Sequence, residues 1–165
     1  MPVRPAQGAE QTSPTLALAQ TGSKRVGVYD SRSVALACGR STQFNQVAQK
    51  LCAEYEKAKT AGDTKRLAEL NKEGEGRQDR MHRQVFGDAP IEDILETIKP
   101  DLAAIQRQAG VQDIVARGRQ DRTVETVDVT TQIVALFHPT SQTLQGIEEL
   151  KTHPPLPADQ FPLND

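Results

Sequence analysis

A chain of 165 residues with a net charge of −2 and 36% hydrophobic residues can build one core of modest size. Aromatic residues make up 4%, Trp is absent and a quarter of the chain is charged, a mix suited to long solvated helices and poor for a large packed enzyme. The near-neutral balance argues against a polybasic binder of nucleic acid or anionic membrane, and no apolar run approaches the roughly 20 residues that span a bilayer.

Residues 1–23 are rich in Pro, Gln, Thr, Ala and Gly with no period, and read as a disordered leader. Ala17, Leu18 and Ala19 give the small-x-small pattern of a signal-peptidase site. Pro2, Pro5, Gln7, Glu10 and Gln11 leave no apolar stretch before it, so export stays open. Val26, Val28 and Tyr29 predict a short strand over 25–30, followed by a helix that Gly39 stops. Ser41 or Thr42 can cap the next helix, where Phe44, Val47, Ala48, Leu51, Cys52, Tyr55 and Ala58 recur at helical spacing. Gly62 ends it, and Asp63 or Thr64 caps a very polar helix over 65–81 that has little beyond Leu67, Ala68, Leu70 and Met81 to bury. Gly74 and Gly76 weaken that helix by about 1 kcal/mol each relative to Ala.

After a loop at 86–90, Ile91, Ile94, Leu95, Ile98, Leu102 and Ile105 form a second strong stripe. Pro100 marks a kink or restart in it, and Gly110 its end. Segments 112–117 and 123–129 read as two strands joined by a turn at 118–122, a β-hairpin. Thr130 caps a short helix burying Ile133, Val134 and Phe137, and His138 with Pro139 ends it. The last helix, 140–150, has Leu144, Ile147 and Leu150 on one face, and Pro154, Pro155, Pro157 and Pro162 make an irregular tail. The expected fold is α+β: a small antiparallel or mixed β-sheet body, with a long broken α-helical hairpin between the first and second strands. It fills one domain, 24–152, between the leader and a tail at 153–165. The first strand should lie beside 112–117 or 123–129, because an isolated strand leaves its backbone groups unpaired. The stripe on Phe44, Leu51 and Tyr55 should pack against Ile94, Ile98 and Leu102 as antiparallel helices.

Little in the chain points to catalysis. Asp30, Ser31 and Arg32 sit at a strand end, where open sheets often place ligands, but no His lies nearby in sequence and Gly-x-Ser-x-Gly is absent. They read as a strand-terminating turn with a helix cap. His82, His138 and His153 are isolated and lack metal-ligand spacing, and Cys38 and Cys52 read as small buried hydrophobes. Glu92 with Asp93, and Glu148 with Glu149, suit helix first turns or solvated faces. Arg77, Arg80 and Arg83 run along one helical edge, but interleaved acids and missing aromatics disfavour nucleic acid. No enzyme, metal or cofactor is expected.

One pattern resembles a known family. Val26, Gly27, Val28, Tyr29 and Asp30, then Asp113, Ile114 and Val115, then Asp128, Val129 and Thr130 followed by Ile133 and Val134 are similar to the Skp/OmpH family of envelope chaperones. The likeness covers roughly 24–137. It implies a homo-oligomer, a trimer, whose strands form a central body while helical arms grip unfolded outer-membrane proteins in the periplasm or cell envelope. On that reading Leu67, Leu70, Met81 and Phe86 would offer adaptable contacts to client proteins, with Arg77 and Arg80 beside them. The alternative expectation is a non-enzymatic structural or interaction subunit of a cell-envelope assembly.

Overall fold

The computed structural model describes residues 24–157, 160 and 161. The leader expected at 1–23, and part of the tail, lie outside the described residues. The chain opens with β1 (Arg25–Tyr29) and α1 (Ser31–Gly39), then α2 (Thr42–Ala61) and α3 (Thr64–Phe86), then α4 (Glu92–Thr97) and α5 (Lys99–Ala109). β2 (Asp113–Ala116), β3 (Glu125–Asp128), α6 (Thr130–Ala135) and α7 (Ser141–Lys151) complete it.

The local chemistry of the ends is much as the residues dictate. Asp30 caps α1 by accepting the Ser33 N–H, Ser41 caps α2 through Phe44 N–H, and Thr140 caps α7 through Thr143 N–H. Gly62 ends α2 at φ 68°, a left-handed conformation that reverses the chain at once, and Asp63 caps α3. Pro100 stands in the first turn of α5, where its missing N–H costs nothing, and Gly110 ends that helix, also left-handed. Thr130 differs from expectation. It is not the cap of α6. Its hydroxyl oxygen accepts the Asp30 N–H at 3.0 Å, tying the start of α6 to the end of β1.

The sheet overturns the expected body. β1 is central in the order β2-β1-β3, and both pairings are parallel, so the sheet is neither antiparallel nor mixed. Val26 pairs with Asp113 on one side and with Thr126 on the other. The β-hairpin expected from 112–117 and 123–129 does not form, because β1 separates the two segments. Residues 117–124 must instead run from the carboxyl end of β2 back to the amino end of β3. Gly27 and Tyr29 share a face with Ile114, Ala116 and Val127, and this face meets the helices. Val26 and Val28 point to the opposite face and are buried outside the main cluster.

The helical layer differs from expectation too. The strands do not flank one long hairpin. α2 and α3 alone form an antiparallel pair, while α1, α4 and α5 join the body. The stripe of Phe44, Leu51 and Tyr55 faces α3, not Ile94, Ile98 and Leu102, since the turn at Gly62 delivers α3 directly alongside. Ile94, Ile98 and Ile105 go instead to the core around Val34, Val129 and Ile133, each of these three at 0% exposure. α1 is the hub of that core, touching α3, α6 and α7. Gly39 allows the close approach of α3: a Cβ there would lie 2.9 Å from the Met81 sulfur.

Candidate functional site

The six residues expected to meet a client do not make one surface. Leu70 is buried and Leu67 half-buried. Arg77, Arg80 and Met81 border a shallow cleft of about 90 Å³ with Phe44, Gln84 and Asp93. Arg80 lies 3.7 Å from Asp93, and Gln84 donates to the Asp93 carboxylate at 2.7 Å and to the Pro90 carbonyl at 2.9 Å. Phe86 faces elsewhere. It is 44% exposed and lines a cleft of about 400 Å³ with Leu36, Leu150 and Leu156. The Leu156 N–H donates to the Phe86 carbonyl at 2.7 Å, and the Arg83 guanidinium lies 5.7 Å from the Phe161 ring, so the tail crosses the end of α3.

The α2–α3 arm is the part of the molecule with least to bury. Of the seven stripe residues on α2, only Ala58 is buried. Phe44, Leu51 and Tyr55 are half-buried against α3, while Val47, Ala48 and Cys52 are exposed. Cys52 is thus not the buried hydrophobe expected of it, because α3 covers only the middle of the stripe. α3 packs on this stripe near Gly74, where a Cβ would meet the Leu51 side chain at an ordinary 3.6 Å.

A second concavity lies at the carboxyl ends of β1 and β2. Its volume is about 310 Å³, and Tyr29, Ser31, Arg32, Glu92, Arg117 and Arg119 stand in its wall. Parallel pairing puts the ends of β1 and β2 side by side, bringing residues 29–32 next to 116–119. Arg32 is half-buried and donates to the Val85 carbonyl at 2.9 Å and the His153 carbonyl at 2.7 Å. Arg117 pairs with Asp128, and Arg119 lies 3.4 Å from Glu92. Burial, and then the negative Glu92, push the Tyr29 phenol above its ordinary pKa. Arg119 and a hydrogen bond with Ser31 pull the other way. The phenol therefore stays protonated at neutral pH and can donate a hydrogen bond.

Asp30, Ser31, Arg32 and Glu92 stood out in the sequence only as a turn and a helix first turn, and Tyr29, Arg117 and Arg119 were missed as site residues. Only a parallel assignment of the strands would have placed 117–119 beside 30–32. Among the described residues, no group of three His, Cys, Asp or Glu residues could hold a metal ion, and no helix is long and apolar enough to cross a membrane. Comparison with known families, curated proteins and solved structures finds no match.

Proposed function

We propose that this chain is a non-enzymatic binding protein that holds partner polypeptides along the α2–α3 arm. The observation that carries the reading is the uncovered stripe: seven apolar residues at helical spacing, of which α3 and the body bury only Ala58. A two-helix pair lacks the third surface that would close such a stripe, and an apolar helix face is a common docking element for extended or helical partners. The polar flanks keep the arm solvated, and the half-covered Phe44, Leu51, Tyr55 and Met81 offer small, adaptable contacts. The parallel sheet removes the antiparallel or mixed body that the chaperone resemblance called for. The arm is the part of that resemblance that still supports client binding, and unfolded outer-membrane proteins are the clients it implies.

The test uses the exposed Cys52. A benzophenone is attached there in a Cys38→Ala background, and the protein is mixed with a denatured outer-membrane β-barrel protein. Light-induced cross-links to the client, with suppression of its aggregation at near-stoichiometric amounts, are expected. Val47→Glu combined with Ala48→Glu, both at exposed positions, should reduce both signals while leaving the helical circular dichroism intact. No cross-link to client and no suppression would overturn the reading.

A further inference from the structure

We infer that the concavity at the carboxyl ends of β1 and β2 is a binding site for a small phosphorylated, hydroxyl-bearing molecule of the sugar-phosphate class. The place comes from the topology. In an open parallel sheet, ligands settle outside the carboxyl ends of the strands, where neighbouring connections leave in different directions. Here the chain leaves β1 into α1, while it leaves β2 toward β3 on the far side of β1. The gap between those departures is the cavity, about 310 Å³, a volume at the lower end of the range of small-ligand pockets.

The charge pattern selects the ligand. Arg32 is half-buried, and both of its hydrogen bonds go to neutral carbonyl oxygens. Among the described residues no carboxylate oxygen lies within 4.0 Å of its guanidinium, so it has no direct ion-pair partner there. Burying a cation without a counter-charge is unfavourable, and an anionic ligand would supply one. Among the described residues the Arg119 guanidinium is held by Glu92 alone, at 3.4 Å, and it is largely exposed, so it can turn onto a phosphate. The positive end of the α1 dipole lies at the same wall through Ser31 and Arg32.

The acids narrow the choice further. Asp88 and Glu92 also stand in the wall, and the Asp30 carboxylate there is already engaged with the Ser33 N–H at 2.7 Å. Three carboxylates against three guanidinium groups make the cavity inhospitable to a polyphosphate or a nucleic-acid backbone. They suit a single phosphate attached to a body rich in hydroxyl groups, which carboxylates accept well. The Tyr29 phenol and the Ser31 hydroxyl complete a rim that can donate and accept along that body. The site lies at the carboxyl ends of the strands and shares no residue with the apolar stripe of α2, so it stands independently of polypeptide binding by the arm.

The experiment is calorimetric titration of the full-length protein with glucose 6-phosphate, glucose, inorganic phosphate and ATP. Saturable binding of the hexose phosphate is expected, with glucose and inorganic phosphate each at least about tenfold weaker and ATP weaker than the hexose phosphate. Arg119→Gln and Ser31→Ala should each weaken the hexose phosphate by about tenfold. Both variants keep the Arg32 anchors, and circular dichroism checks that they fold. Aggregation suppression by the arm should be unchanged in both. No saturable binding of the hexose phosphate, or binding untouched by both substitutions, would overturn the site. Equal affinity for inorganic phosphate or for ATP would overturn the ligand class.

Discussion

Ser33 shows how local chemistry sets stability at a single residue. It sits fully enclosed in α1, and among the described residues its hydroxyl has no hydrogen-bond partner. An enclosed hydroxyl without a partner costs roughly 1–3 kcal/mol of desolvation, and Ala is also the better helix former. Ser33→Ala is therefore expected to raise the unfolding free energy by about 1 kcal/mol in chemical denaturation, and a loss would show that the hydroxyl has a role in the fold. The two cysteines make a second residue-scale test. Burial, and then the negative Asp93, push the Cys38 thiol up to about 11, while Cys52 is exposed. At pH 8 a thiol reagent should modify Cys52 quickly and Cys38 only as the protein unfolds. The raised value also has a stability consequence. Below about pH 9 the thiol is neutral in both folded and unfolded chains. Between about 9 and 11 the unfolded chain releases the proton and the folded one keeps it, so stability falls as pH rises through that window. Cys38→Ala should flatten the fall.

At the scale of elements, the helix ends were legible and the sheet was not. Ser41, Gly62, Asp63, Gly110 and Thr140 act on their immediate neighbours, and all five stand at helix ends in the structure. The stripes were legible for the same reason, but their partners were not. Helical spacing says which face is buried and leaves open what lies against it. The strands failed more completely. Four- and five-residue strands carry no signal for direction, and a turn containing Gly118 between two short apolar runs imitates a hairpin. Whether β1, far upstream at 25–29, inserts between them depends on how the helical layer packs. The candidate cleft was hidden with it, since Tyr29 and Arg119 meet only through the parallel register. Gly74 and Gly76 give a sharper lesson. They read as interruptions, yet α3 runs unbroken through both. A Cβ at Gly74 would meet only Leu51 at an ordinary 3.6 Å, and at Gly76 nothing within 4 Å. Replacing both with Ala should therefore stabilise α3 by about 1 kcal/mol per site, read as slower hydrogen exchange across the helix. Faster exchange would mean that the arm needs the space Gly74 leaves. At the carboxyl end of β3, burial disfavours ionised Asp128, but hydrogen bonds from the Thr130 hydroxyl and N–H, with Arg117, outweigh it and lower its pKa. The stability this adds is present above the ordinary aspartate range and is lost as pH falls through the lowered value, so Asp128→Asn should blunt acid unfolding.

The whole molecule divides into a dense body and a thin arm, and the division has a measurable consequence. Val34, Val129 and Ile133 are fully enclosed within one cluster that gathers α1, α4, α5, α6, α7 and the sheet. Truncating Ile133 to Ala removes buried methyl groups where neighbours on several elements hold the space open, so the expected cost is about 2–5 kcal/mol. The arm encloses much less, with Leu70 and Ala58 its buried apolar side chains toward the α2–α3 turn. Leu51 is only half-buried, in a seam shared by two helices, and Leu51→Ala is expected to cost about 1 kcal/mol, since little transfer energy and little cavity are involved. The two substitutions should also differ in what they loosen. Local opening follows local burial, so distal α2 and α3 should exchange their amide hydrogens well before β1 and α1 in the native protein. Leu51→Ala should speed exchange in the arm and leave the protection of β1 unchanged. Ile133→Ala should lower protection everywhere, because it weakens the unit on which the last-opening amides depend. If Leu51→Ala reduced the protection of β1 as much as Ile133→Ala does, arm and body would be one cooperative unit. An arm that opens alone is also better able to adjust its stripe to different partners, which links this stability pattern to polypeptide binding.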